Sequence, residues 1–314
     1  MTRTFINGLV KILVLGACLP VLACSRSPEK SAPAGRILRQ SYDLKPASRV
    51  GDIAYYRITT AYLDMDDHGK VRHEAVVDGY FTKAVLEFEK DQRAESFVWR
   101  VVKKGEREVG GDVMEFAVLP YSKDFRYAFA DWTRDRFPVD LSSIPKSMDG
   151  WKFVVNLIDA HTFDVLADLN NYRGRLERIG DTALLPASAI PVSMDFPPLF
   201  TDTYFVNADL TVVFQGLTLC QEEPCAVLAF ESDENGLHMV TNMNGLAFPT
   251  EGTSYYWGEI FLSLENKRIV RGKIMERVDM VTSLGSLGEP AKHVTRREIV
   301  LERIRPGDFE RIPQ

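Results

Sequence analysis

Apolar and polar residues alternate with period two over most of the chain beyond residue 50, the pattern of strands with one buried face. Ile53 to Tyr62 and Lys70 to Phe81 carry it on either side of Asp66-Asp67-His68-Gly69, which predicts a hairpin closed by a polar turn. Further strands are expected around Ala84–Glu89, Ser96–Lys103, Val113–Leu119 and Arg126–Trp132. In the middle, the apolar run Trp151 to Ile158 suits a buried strand. After it, Phe163, Leu166 and Leu169 are spaced for one helical face, with Thr162 as its N-cap. Tyr172 to Asp181 is expected to resume as a strand.

Pro186, Pro191, Pro197 and Pro198 punctuate a long connection, the best candidate boundary between two parts of the body. Beyond it, Asp209 to Cys220, Ala226 to Ser232, Tyr255 to Leu264 and Ile269 to Val281 read as antiparallel strands. Asp233-Glu234-Asn235-Gly236 reads as a turn, since Asn-Gly tolerates positive φ, and Glu265-Asn266-Lys267-Arg268 as a short hairpin loop. In the last strand, His293 to Ile304, Thr295, Arg297, Ile299, Leu301 and Arg303 share a face. Neither face is cleanly apolar, which suggests a strand at an edge or exposed on one side. The fold class is therefore mainly β: antiparallel curved sheets, as a half-barrel or as two β-rich halves (46–190 and 191–305), with one short central helix and a tail at 306–314.

The first residues are different. Arg3 and Lys11 are followed by an uncharged apolar run, Ile12 to Ala23, too short to span a bilayer comfortably. It ends in Val21-Leu22-Ala23-Cys24, with small Ala23 directly before the cysteine. This segment resembles a bacterial lipoprotein signal peptide (1–23) followed by a lipid-acceptor cysteine, Cys24. Cys18 also has a small-residue approach, but cleavage there would leave Leu19 to Ala23 on the mature end. A Pro- and Ser-rich tether (24–45) follows, with little to bury. The resemblance implies a diacylglyceryl cysteine, usually N-acylated as well, and so a durable membrane anchor. Ser25, where an Asp would favour inner-membrane retention, implies the outer membrane and its periplasmic face. More broadly the chain looks like outer-membrane lipoproteins built on curved antiparallel sheets. It is distantly similar to the half-barrel lipoprotein carriers of the Lol system, a likeness of architecture from which no functional residue transfers.

Composition narrows the function. Residues 1–23 hold two basic side chains and no acidic ones, so their removal takes the formal charge from −6 to −8. An acidic body argues against a nucleic-acid partner. Walker and dinucleotide fingerprints are absent, as are Gly-x-Ser-x-Gly and His-Glu-x-x-His motifs, and no cofactor or metal is expected. The acidic turn Asp64-x-Asp66-x-His68-Gly69 lacks the closing Glu of a calcium loop, whose place is held by Ala75. Cys220 and Cys225 flank four residues; in an oxidising compartment they read as a disulfide closing a short loop. A redox role would more often use Cys-x-x-Cys spacing.

Two clusters carry candidate chemistry. Asp159, His161 and Asp164 pack two carboxylates around one imidazole: a base with its orienting partner, two-thirds of a metal site, or polar caps at a strand–helix junction. Tyr255 and Trp257 share one strand face with Tyr256 on the other, and such rings either pack in the core or line an apolar concavity. The expected function is a non-catalytic binding or scaffolding lipoprotein, with an apolar ligand or an envelope protein as partner. The rival is a periplasmic hydrolase using Asp159, His161 and Asp164.

Overall fold

The computed structural model describes residues 40–45, 49–86, 95–108, 114–129, 139–187 and 192–313. The signal segment, Cys18, Cys24, most of the tether and Pro191 lie outside the described residues, as do the expected strand ends at Glu89, Val113 and Trp132. The described chain begins with β1 (Ile53–Asp66), β2 (Val71–Val85), β3 (Glu95–Glu108), β4 (Phe116–Val118) and β5 (Arg126–Phe129). Helix α1 (Met148–Ala167) follows, then β6 (Thr182–Leu185), β7 (Val192–Ser193), β8 (Phe200–Val206) and β9 (Leu210–Cys220). The long strands β10 (Glu223–Met243), β11 (Leu246–Ser263), β12 (Ile269–Thr282) and β13 (Ala291–Ile304) precede a short helix, α2 (Pro306–Glu310).

These strands form one open antiparallel sheet in the order β4-β3-β2-β1-β13-β12-β11-β10-β8-β7, with β5 on β3, and β9 and β6 added alongside β10. The two expected halves are thus one sheet, joined by the long β1–β13 ladder from Tyr55↔Ile304 to Asp66↔His293. β13 is interior to the sheet, and its mixed pattern reflects an outer face left to solvent: Arg296 is exposed while Ile299 and Leu301 are buried.

The helix explains the curvature. Phe153 of α1 meets Trp99 of β3 edge-on at 5.6 Å, while Trp151 packs on Phe200 of β8 at 4.8 Å. In the ladder β3 and β8 are seven steps apart, about 34 Å along a flat sheet at the usual strand spacing. A helix is only about 10–12 Å wide with its side chains. Both contacts are possible because the sheet curls around α1.

A strand over Trp151–Ile158 is corrected here: the segment belongs to a helix of 20 residues. The helix is enclosed, and its polar residues Lys152, Asn156 and Asp159 share one side but pair inward with Glu106 and Thr60 of the sheet. Ser147 is the N-cap, its Oγ accepting from the Gly150 N–H at 3.2 Å, and Asp149 in the first turn suits the positive helix end. Thr162, expected as the cap, lies inside the helix and donates to the Ile158 carbonyl at 2.9 Å. Two glycines let the helix sit close. A Cβ on Gly79 of β2 would lie 2.6 Å from Asn156 Oδ1, and one on Gly272 of β12 would lie 2.6 Å from Phe163 Cδ1.

Two further assignments, one turn and one strand, also change. Asp233–Gly236 is a bulge inside β10, where the register shifts between Ser232 and Asn235. Asn235 is buried there: its Oδ1 accepts from Ala208 N–H at 2.8 Å and its amide donates to the Ser254 carbonyl at 3.0 Å. The hairpin turn is instead Asn244-Gly245, both at positive φ (52° and 78°), closing the Met243↔Leu246 pair. Tyr172–Asp181 forms turns with one isolated bridge, Arg173↔Leu184, in place of a strand.

Candidate functional site

Strand register sets the floor of the site. Across β1, β13, β12 and β11, Tyr62, Arg297, Glu276 and Tyr256 fall in one row on the concave face. The next row is Thr60, Ile299, Ile274 and Gly258, and the one after is Ile58, Leu301, Gly272 and Ile260. The inner surface therefore passes from apolar to ionic within one residue pair along the strands. Helix α1 lies over this border and presents Ile158, Asp159, Thr162, Val165 and Leu166 to it, residues spaced for one helical side.

Between them is a cavity of about 180 Å³. Its apolar lining includes Ile158, Val165, Leu166, Tyr256, Ile274 and Ile299, and Val192, Phe205 and Asn207 of the β7–β8 region form the less buried rim. Its polar lining is Asp159, His161, Glu276 and Arg297, with Thr162 and Asn207. An apolar hollow with a few convergent polar groups is the usual form of a small-molecule site. A second hollow of about 460 Å³, between residues 41–45 and 169–177, is more polar and is built from loops.

The ionic groups form a connected set. Arg297 donates Nη2 to Asp159 Oδ1 and Nη1 to Glu276 Oε2, the latter at 2.7 Å. Thr60 donates to Asp159 Oδ2 at 2.8 Å, and Ser254 to Glu276 Oε1 at 2.6 Å. The Tyr62 ring lies beneath the guanidinium at 5.4 Å. Asp159 is 3% exposed and Glu276 8%. Burial raises the Asp159 pKa in spite of Arg297, whereas at Arg297 burial lowers the pKa but is outweighed by the two carboxylates, which hold it well above its ordinary value, so Arg297 stays charged. Burial, with Lys83 nearby, pushes His161 down to about 3, so its imidazole is neutral at ordinary pH.

The structure divides the sequence-predicted cluster. Asp159 and His161 line the cavity, whereas Asp164 does not and is engaged by Lys83, which also reaches Glu95 at 2.7 Å. Both carboxylates thus face cations, and an imidazole with so low a pKa is poorly matched to proton abstraction near neutrality. Asp159 and His161 are also well inside α1 and cap no strand–helix junction.

Tyr255 and Trp257 stack on each other at 4.9 Å on the outer face, 40% and 38% exposed. They do not line the cavity; Tyr256, on the opposite face of the same strand, does. Arg297 and Glu276 were not singled out by sequence reasoning. The available signal was a pair of charges at inward strand positions: Glu276 between Ile274 and Val278, and Arg297 two residues before Ile299.

The expected Cys220–Cys225 disulfide is not seen: both thiols are free in this structure. The connection is a two-residue turn, Gln221-Glu222, both at positive φ, so Cys220 pairs with Glu223 and Cys225 with Thr218. The cysteines are diagonal neighbours on the ladder, farther apart than directly opposed residues. Among the described residues no group of His, Cys, Asp and Glu is arranged to hold a metal, and no helix is long and apolar enough to cross a membrane.

No family model matches the chain, and no curated protein matches it. Among solved structures it is similar to lipovitellin, in a structure describing lipid–protein interactions, with 11% identity and a TM-score of 0.38. That alignment covers 82% of this chain and 25% of the other, so this chain spans about a quarter of the lipovitellin chain's length. A Bacteroides fragilis protein with a YmcC-like fold matches with 14% identity over 85% of this chain and 99% of its own, at a TM-score of 0.17. Pseudomonas aeruginosa OccK5 matches with 7% identity over 82% of this chain and 100% of its own, at 0.19. All three fall below 0.5, and none bears on function.

Proposed function

We propose that this chain is a lipid-anchored envelope protein, acylated at Cys24 at the periplasmic face of the outer membrane, that binds an apolar ligand between α1 and its curved sheet. The observation that carries the ligand reading is the hollow of about 180 Å³ lined by Ile158, Val165, Leu166, Ile274 and Ile299. An engineered apolar cavity of about 150 Å³ is enough to bind benzene, so this one suits a ring or one end of an acyl chain. The anchor reading is supported by the uncharged run ending in Val21-Leu22-Ala23-Cys24. The engagement of Asp159 by Arg297 and of Asp164 by Lys83 favours binding over hydrolysis.

The ligand reading is tested with the mature chain carrying Cys24→Ala, purified and extracted with organic solvent for mass spectrometry. An apolar small molecule should accompany the parent and be lost from Ile274→Phe, which fills the hollow. No extractable ligand, together with no binding of an uncharged apolar fluorophore, would contradict it. For the anchor, the intact mass of the membrane-extracted protein should show a diacylglyceryl-modified Cys24. An unmodified, freely soluble chain would contradict that part alone.

A further inference from the structure

We infer that the cavity selects amphiphiles whose polar group donates hydrogen bonds, a protonated amine above all, and discriminates against carboxylate and phosphate head groups. The inference rests on the reading of this cavity as the ligand site and names the chemical class it takes.

Charge at the polar end is unequal. One guanidinium, Arg297, stands between two carboxylates, Asp159 and Glu276, and among the described residues no other Lys or Arg lines the cavity. Both terminal nitrogens of Arg297 already donate to those carboxylates, and of its three nitrogens the buried Nε is the one without a partner among the described residues. An anionic head would have to compete with two built-in anions for one cation, and would bring a third negative charge into a poorly solvated space. Such repulsion is far stronger there than in water. The neutral His161 adds no positive charge to offset it.

A donor meets the opposite situation. The four carboxylate oxygens accept from Arg297, Thr60, Ser254 and Arg297 again, one such bond each. A carboxylate oxygen has two lone pairs, so acceptor capacity remains on both side chains. An ammonium placed between them would neutralise the surplus charge and offset the burial that disfavours ionised Asp159. With the head at this buried floor, the apolar chain runs past Ile274 and Ile299 and leaves by the rim at Val192 and Phe205.

The test is displacement of an uncharged fluorophore, N-phenyl-1-naphthylamine, from the mature Cys24→Ala protein by a matched series kept below micellar concentrations. Dodecylamine, dodecanol, dodecanoate and dodecyl phosphate share one chain and differ in the head. Dodecylamine should displace at a concentration about tenfold or more below dodecanoate, with dodecanol between them. Glu276→Gln should narrow that gap by weakening the amine and easing the carboxylate. Equal or stronger displacement by dodecanoate or dodecyl phosphate in the parent protein overturns the inference while leaving the cavity reading intact. A fluorophore that fails to bind, or that Ile274→Phe does not affect, defeats the cavity reading and the inference with it. The comparison of heads needs no variant, so misfolding of Glu276→Gln leaves it decisive.

Discussion

Arg297 of β13 and Asp159 of α1 form an ion pair inside the fold, tying the enclosed helix to the middle of the sheet that curls around it. Asp159 is buried and Arg297 only partly exposed, and Glu276 completes the set from the adjacent strand β12. A buried charge whose partner is removed is costly, because the survivor is neither solvated nor paired.

Removal of the Arg297 side-chain charge by Arg297→Met should therefore destabilise the protein by about 3–5 kcal/mol, since it strands two carboxylates. The triple variant Arg297→Met, Asp159→Leu, Glu276→Gln should recover most of the loss. Urea denaturation of the single and triple variants checks this through the shift in midpoint. Equal losses in both would show that stranded carboxylates are not the cause of the destabilisation.

The seat of the helix gives a steric prediction. Gly272→Ala places a methyl carbon 2.6 Å from Phe163 Cδ1, and overpacking of this kind typically costs about 1–3 kcal/mol. Phe163→Leu alone should also destabilise by opening space in the core. The double variant should be more stable than the sum of the two losses, because the smaller side chain makes room for the added methyl. Strict additivity of the thermal or urea data would mean that α1 does not rest on Gly272.

His161 gives the pH dependence. Its pKa is lowered from 6.5 to about 3 in the folded chain, so the native state binds fewer protons than the unfolded state between those values. Its contribution is thus fully present above about pH 6.5 and is lost as pH falls toward 3, with a slope approaching roughly 1.4 kcal/mol per pH unit. Stability measured over this window should fall less steeply in His161→Gln. An unchanged slope would mean that His161 titrates normally in the folded protein.

The cysteines should differ in reactivity. Cys225 is fully buried with its thiol pushed up to about 11, while Cys220 is partly exposed. A maleimide should label Cys220 in the native protein and Cys225 only after unfolding, as read by peptide mass spectrometry. Recovery of a Cys220–Cys225 cross-linked peptide from native protein would contradict the two-residue turn between them.

The long hairpins were legible because each has a solvated outer face, which preserves the period-two alternation: Ile53–Phe81 and Tyr255–Val281 are clear examples. Trp151–Ile158 was misread because a short apolar run alone does not separate helix from strand, and because the polar positions that recur at helical spacing, Lys152, Asn156 and Asp159, turn inward to Glu106 and Thr60 instead of to solvent. Asn235-Gly236 and Asn244-Gly245 offer the same turn signal, yet only the second closes a hairpin. The first is claimed by tertiary hydrogen bonds from Ala208 and to Ser254, which no local rule foresees. The site was half legible. Asp159 and His161 stood out as polar residues beside an apolar run, but Arg297 and Glu276 became part of it through the β12–β13 register and the closure of the sheet over α1.

The most direct test of the binding account is methyl NMR of the mature Cys24→Ala protein, labelled at isoleucine δ-methyls and titrated with dodecanol. Ile158, Ile274 and Ile299 line the cavity, whereas Ile53 lies outside it and is half exposed. The expected result is intermolecular NOEs from the alkyl chain to Ile158, Ile274 and Ile299, with none to Ile53. Contacts at Ile53 in their place, or a saturated titration that leaves the three cavity methyls unmoved, would contradict the account.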